Sequence, residues 1–183
     1  MSAQRRFVVK NDISGQYIYT GEVDENGMPE GQGLQIFPSG TFYHGQFKKG
    51  LPDKKGLKVH SDGKVTNGLR SQGRLRGFAQ TFDRLGYAYI GAWLDDLKHG
   101  EAKEISHEGD EYEGTFEQNK KSGQGVMQYK NGDKYEGRWN EDLPHGTGKL
   151  LTKDGDEYNG DFQAGKQTGF GKKTYHQGGH YEG

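Results

Sequence analysis

The sequence predicts an all-β fold: an elongated, twisted, single-layer solenoid of stacked β-hairpins, about seven copies of a 23-residue repeat. Three observations predict it. Aliphatic and aromatic residues make up only 29 % of the 183-residue chain, too little apolar mass for a thick two-layer core. The segment Tyr-x-Gly-x-(Phe/Trp) recurs in fixed register. Further glycines keep the same phase. Twelve per cent aromatics and only four prolines separate this order from the disorder that low hydrophobicity alone would suggest.

The period comes first, because a missed repeat misassigns the whole fold. The copies are Tyr43-His-Gly45-Gln-Phe47, Tyr89-Ile-Gly91-Ala-Trp93, Tyr112-Glu-Gly114-Thr-Phe116, Tyr135-Glu-Gly137-Arg-Trp139 and Tyr158-Asn-Gly160-Asp-Phe162. Tyr19-Thr-Gly21-Glu-Val23 is a degenerate first copy, one residue out of step, and Tyr181-Glu-Gly183 begins a last one. From Tyr43 to Tyr181 is 138 residues, six steps of 23. Tyr and Phe/Trp stand four apart and share a strand face, with the glycine between them on that face. A position without a side chain there lets a neighbouring ring lie against the backbone.

Two turns divide each repeat. Seven residues after the Tyr position stand Gly50, Gly73, Asp96, Asn119, Asp142 and Gly165, the residue types that tolerate positive φ, so a tight left-handed turn belongs there. Twenty after it stand Gly63, Gly86, Gly109, Gly132, Gly155 and Gly178. Asp62, Asn131 or Asp154 precedes three of these, giving Asp-Gly and Asn-Gly hairpin signals. Each repeat is therefore two short strands and two turns. Stacked hairpins advance roughly 9–10 Å per repeat, so seven would span roughly 65 Å.

Residues 1–16 are expected to form a capping segment and 17–183 the array, Phe7-Val8-Val9 and Tyr17-Ile18-Tyr19 flanking Gly15 as a first hairpin. The chain stops three residues into a repeat. The natural protein is expected to continue beyond it, or a partner to pair with the open strand, with self-association through that edge as one outcome. In the third copy Thr66 and Arg70 replace Tyr and Phe/Trp. Gly68 persists, so the backbone is expected to follow the pattern while the aromatic row is interrupted.

The pattern Tyr-Glu-Gly-x-(Trp/Phe), then Gly-x-Gly, then Asn-Gly or Asp-Gly, resembles the MORN repeat (membrane occupation and recognition nexus). Residues 112–183 match it best, and the likeness runs from about Tyr17 onward, departing at Val23, Thr66 and Arg70. The resemblance implies a non-enzymatic scaffold in a cytoskeletal or membrane–cytoskeleton assembly, with a cytoplasmic, ciliary or flagellar axonemal setting like that of radial spoke heads. The rings Tyr43, Phe47, Tyr89, Trp93, Tyr112, Phe116, Tyr135, Trp139, Tyr158 and Phe162 are expected to be mainly core with some left partly open, and a partner helix or peptide laid along that groove is the expected mode of binding.

Charge offers an alternative. Residues 1–94 hold 13 Lys/Arg against 8 Asp/Glu, a net +5, and residues 95–183 hold 12 against 18, a net −6. Lys48, Lys49, Lys54, Lys55, Lys58, Arg70, Arg74 and Arg76 make a basic stretch suited to anionic phospholipid or an acidic partner. The bias is too mild and too interleaved for nucleic acid.

Catalytic and cofactor chemistry finds no foothold. There is no cysteine, hence no thiolate nucleophile or thiolate zinc site. The Gly-x-Gly pairs lack the third glycine and helix of a dinucleotide site. Gly171-Lys172-Lys173-Thr174 is spaced like the end of a phosphate loop, but Lys166 stands where the leading glycine belongs. His176 and His180 flank Gly178-Gly179, which disfavours the helix their spacing would need for metal binding. His99 and His145 share one repeat position before a glycine, which suggests turn packing. No enzyme activity, cofactor or metal is expected.

Overall fold

The computed structural model describes the backbone of residues 6–11 and all of residues 16–183. Every regular element among them is a strand. β1 (Arg6–Asn11), β2 (Ile18–Val23), β3 (Pro29–Ile36), β4 (Phe42–Lys48), β5 (Leu51–Val59), β6 (Val65–Ser71) and β7 (Arg74–Phe82) come first. β8 (Ala88–Leu94), β9 (Leu97–Ile105), β10 (Glu111–Glu117), β11 (Lys120–Gln128) and β12 (Lys134–Asn140) follow. β13 (Leu143–Leu151), β14 (Glu157–Gln163), β15 (Lys166–Thr174) and β16 (His180–Glu182) complete the series.

The chain divides into two compact units, Met1–Arg84 with Trp93–Asp96, and Leu85–Ala92 with Leu97–Gly183. In the first, β1 to β7 pair antiparallel in chain order; in the second, β9 to β16 do the same. The fold is all-β, a single layer of stacked hairpins. Of the expected capping segment, the backbone of β1 pairs with β2, Val8 opposite Gly21. Residues 1–5 and 12–15, Gly15 among them, lie outside the described residues.

From β4 onward each complete repeat joins a seven-residue strand at the Tyr-x-Gly-x-(Phe/Trp) position to a nine-residue strand, as β12 is joined to β13. The connection is tighter than the sequence alone indicates. Both Glu141 (φ 48°) and Asp142 (φ 69°) are left-handed, which is the type I′ turn whose twist matches that of the strands. The first of the two positions is held by Lys49, Gln72, Asp95, Gln118, Glu141 and Ala164 in successive repeats, so no residue type announces it. The other connection is a wider loop. Gly132 N–H donates to the Tyr129 carbonyl (2.9 Å) and Tyr129 N–H to that of Asp133 (2.9 Å), and the glycine supplies the positive φ (100°). The Asn131-Gly132 pair thus closes a three-residue loop with a glycine bulge rather than a two-residue turn.

Between β12 and β13 one residue separates Gly137 from Trp139 while three separate their partners Gly148 and Pro144, so the nine-residue strand bulges; the same shift recurs at Gly45/Phe47, Gly114/Phe116, Gly160/Asp161 and, in the third copy, Gly68/Arg70. At this repeat position the nine-residue strand is left-handed at Gly77, Gly100, Gly123, Gly146 and Gly169, and also at Lys54 (φ 57°), where the glycine is missing but the backbone is kept.

Successive repeats are tied at their tight turns. The N–H of the second left-handed residue donates to the carbonyl of the residue 21 positions back: Gly50 to Pro29, Gly73 to Pro52, Asp96 to Leu75, Asn119 to Lys98, Asp142 to Lys121 and Gly165 to Pro144, at 2.7–3.1 Å. Where that earlier residue is proline it has no N–H to satisfy, and the later one is glycine. Where it has an N–H, the later residue is Asp or Asn, and its side chain accepts that N–H. Leu75 donates to Asp96, Lys98 to Asn119 and Lys121 to Asp142, each at 2.8 Å. Proline with glycine and amide with Asp/Asn are two solutions to one constraint, that a backbone donor not be left unpaired.

Candidate functional site

The ring-bearing face is built by close approach. A Cβ on Gly137 would lie 2.6 Å from Gly148 Cα and 2.7 Å from the Tyr135 hydroxyl; one on Gly125 would lie 2.6 Å from two carbons of the Tyr112 ring. The tyrosine ring therefore occupies the volume that two opposed glycines leave empty. Its hydroxyl has a separate task. Tyr19, Tyr43, Tyr89, Tyr112, Tyr135 and Tyr158 each donate to the carbonyl three residues on, at 2.7–3.1 Å. That carbonyl sits opposite the bulge, where regular pairing is interrupted, so tyrosine and not phenylalanine fits the position.

Phe47, Phe116, Trp139 and Phe162 then each stand edge-on between two tyrosines. Phe47 lies 5.1 Å from Tyr19 and 5.2 Å from Tyr43; Trp139 lies 5.2 Å from both Tyr112 and Tyr135. Such pairs contribute about 0.5–1.5 kcal/mol each beyond burial. The result is a closed row. Of the ten rings expected to contact a partner, Tyr43, Phe47, Tyr89, Tyr112, Phe116, Tyr135, Trp139, Tyr158 and Phe162 are buried, Tyr43 at 1 % exposure, and only Trp93 is half-buried. These side chains pack one repeat on the next. Burial pushes the Tyr19 and Tyr135 hydroxyls up to about 12, and raises those of Tyr43, Tyr89 and Tyr112 as well.

The third copy does not leave the gap its sequence suggests. Arg70, 6 % exposed, fills the Phe/Trp slot with its guanidinium carbon 5.2 Å from the centre of the Tyr43 ring. It donates to the Gly56 carbonyl (3.3 Å) as the Trp139 indole donates to that of Gly125 (3.2 Å). Thr66 takes the tyrosine slot and accepts from the Thr81 hydroxyl (3.3 Å), and Ala79 stands opposite Gly68 where other copies have a second glycine. Ala102 stands in that position too, beside a retained Tyr89, and nothing in the structure explains it.

Arg70 is therefore not part of any exposed basic patch; its burial is the physical reason. Lys58, opposite Tyr43, lies half-buried on the ring face, its pKa lowered by burial and by Arg70. Lys48, Lys49 and Lys54 flank one tight turn and Arg74 and Arg76 the next, all exposed, the two turns joined by the Gly73–Pro52 hydrogen bond (2.7 Å). These five share one edge of the sheet. Lys55 is exposed on the opposite face from the rings.

In the second unit the ring face carries charges that were not singled out from sequence. Lys98 lies 5.1–5.5 Å from the ring centres of Tyr87, Tyr89 and Phe116 and pairs with Glu104, which is 8 % exposed. Lys121 reaches the same carboxylate (3.6 Å), and the Tyr87 hydroxyl donates to it (3.2 Å). Their signal was parity. Repeat positions nine and fifteen after Tyr fall on the ring face. Among the described residues no three His, Asp or Glu side chains converge as a metal site, and no helix is long and apolar enough to cross a membrane.

A family model described as the MORN repeat matches residues 19–42, 43–65, 89–111, 112–134, 135–157 and 158–180, passing over the copy that holds Thr66 and Arg70. No curated protein sequence matches the chain. Among solved structures, it is similar to the TCP domain of Drosophila melanogaster SAS-4 (dCPAP), solved in complex with a proline-rich motif of Ana2 (dSTIL). The two are 8 % identical over 98 % of this chain and 88 % of that one, with a TM-score of 0.50. The TCP10 domain of Danio rerio CPAP is 16 % identical over 97 % and 99 % of the two chains, with a TM-score of 0.37.

Proposed function

Because the chain belongs to the MORN-repeat family, we propose that it is a non-enzymatic scaffold that binds other proteins through its repeat surface, within a cytoskeletal assembly such as a ciliary or flagellar axoneme. One observation carries this reading: the rings close one face of the sheet, while the other keeps large apolar side chains open, Phe78 at 55 % exposure among them. A single layer has no second sheet of its own to cover that face, and exposed apolar surface of this kind marks interaction sites. The peptide complex formed by the Drosophila TCP domain lends support to a protein or peptide ligand. Affinity capture with the chain from ciliated cells tests the proposal. The expected result is recovery of axonemal or other cytoskeletal proteins by the folded chain and not by a Gly137→Val variant with a disrupted repeat; recovery of neither counts against it.

The five basic side chains on one edge favour a second reading, a tether to anionic phospholipid. Flotation with phosphatidylserine vesicles at two salt concentrations tests it: binding that falls with salt and on replacing Lys48, Lys49 and Lys54 supports it, and no binding removes it.

A further inference from the structure

The face opposite the rings differs between the units in a way the repeat geometry does not require. In the first unit, cross-strand neighbours run Ile18, Ile36, Phe42, Val59, Val65, Phe82, one from each of β2 to β7, each directly paired with the next. The adjacent row holds Leu34 and Leu57 among Thr20, His44, Asn67 and Gln80, with Leu69 and Phe78 beyond. Ile18, Ile36, Leu69, Phe78 and Phe82 are all exposed. In the second unit the same row reads Ile105, Glu111, Gln128, Lys134, Leu151, Glu157. There the acids are satisfied locally: Lys103 pairs with Glu111 and Lys149 with Glu157, both at 2.8 Å.

Size selects among occupants. Five strand spacings of about 4.8 Å make the ladder about 24 Å long, and its two to three rows are roughly 10–14 Å wide. That patch, roughly 250–350 Å², is well below the ~800 Å² per partner of a stable dimer, so a second copy is a poor fit. It matches one helix, about 10–12 Å across, of about 16 residues at 1.5 Å each. A helix laid across the strands places an apolar side chain every turn, about 5.4 Å, close to the strand spacing. Charge narrows the choice. At the margin Lys55, Lys64 and Arg84 stand against Glu22, Asp62 and Asp83, so the bias comes from the stretch as a whole: residues 1–94 are net basic by 5.

We propose that the outer face of β2 to β7 is the docking site of an amphipathic helix with an acidic rim, contributed by a partner protein. This rests on the scaffold reading and adds the site and the chemistry of its ligand. The test uses a fluorescent synthetic helix of about 18 residues with leucine along one face and glutamate beside it. The same residues in scrambled order, and a version with lysine for glutamate, serve as comparisons. Anisotropy with the whole chain should show saturable binding of the acidic helix, at least tenfold tighter than either comparison. Ile36→Gln with Phe82→Gln should weaken it at least tenfold at an unchanged melting temperature. Lys134→Gln with Glu157→Gln, the same row in the second unit, should leave it unchanged. No binding, equal binding of the scrambled peptide, or full binding by the Ile36/Phe82 variant overturns the proposal. So does loss, in that variant, of self-association or vesicle binding instead. Capture of cytoskeletal proteins that survives this variant would keep the scaffold reading and discard the site.

Discussion

Trp139 in the C-terminal unit and Arg70 in the N-terminal unit hold the same repeat position, and both donate to a glycine carbonyl fourteen residues back. One does so as a ring between two rings, the other as a cation over the single ring of Tyr43. On the opposite face the contrast reverses: the N-terminal unit has an apolar cross-strand row where the C-terminal unit carries paired charges. The ring face is constrained by backbone spacing, so that a substitute must reproduce shape and donor. The outer face is under no such constraint, and there one unit can acquire a surface that the other lacks.

The largest expected effect breaks this comparison if it fails. Trp139→Ala removes two edge-on ring contacts and a hydrogen bond from a buried slot and should cost about 3–5 kcal/mol. Arg70→Ala should cost about 1–3 kcal/mol, since its guanidinium contacts one ring and its burial carries a desolvation penalty. Denaturant unfolding measures both; equal losses would show that the slot does not distinguish ring from cation.

Next come the glycines. Gly137→Ala brings a methyl against Gly148 backbone and should cost about 1–3 kcal/mol through overpacking, with no rescue by asparagine. Gly132, at φ 100°, faces only the Lys153 side chain, 3.0 Å from an added Cβ. Gly132→Ala should cost about 1 kcal/mol through backbone strain, and Gly132→Asn should recover part of it. Thermal melts in which asparagine rescues both positions would merge two roles that the structure separates.

Tyr135→Phe keeps the ring and removes the donor, leaving the Arg138 carbonyl unpaired, a loss of about 1–2 kcal/mol. The same hydroxyls predict an alkaline limit common to both units. Tyr19 and Tyr135 titrate at about 12 in the fold because burial disfavours the phenolate, against about 10 when unfolded. The folded chain holds protons that the unfolded chain releases, so this stability is complete below about pH 10 and declines as the pH rises toward 12. A melting temperature unchanged between pH 9 and pH 11.5 would contradict it.

The period, the ring row and the glycine bulges were legible because each places one residue type at one repeat position: Gly132 and Gly155 are fixed by φ, Gly125 and Gly148 by the ring above them. What stayed hidden has no fixed residue type. The first left-handed turn position accepts lysine, glutamine or glutamate, since its side chain meets solvent. Arg70 reads as a decayed copy until its guanidinium is seen on Tyr43. The burial of nine of the ten rings was only half legible, because alternation assigns a face but not what covers it. The Pro/Gly and amide/Asp pairing spans 21 residues and emerges only once the turns are stacked.

That pairing yields the smallest and most local prediction. Pro144 and Gly165 form one solution, Lys121 and Asp142 the other, within the same unit. Pro144→Ala restores an N–H that faces Gly165, which has no side chain to accept it. Gly165→Asp places a carboxylate at φ 81° beside a residue without a donor; its Cβ would lie 3.7 Å from Leu143 and 3.9 Å from Pro144, so space is available. Each single change should cost about 1 kcal/mol. Together they recreate the geometry in which the Asp142 carboxylate accepts from Lys121, so the double variant should lose less than the two singles combined, by about 0.5–1.5 kcal/mol. Leu75 with Asp96 shows that the N-terminal unit uses the same solution beside its Pro52–Gly73 pair, so the corresponding swap at Pro52 and Gly73 should couple with the same sign. Strict additivity at Pro144 and Gly165 would mean that the side chain and the backbone donor are satisfied independently, by solvent, and that the pairing does not hold one repeat on the next.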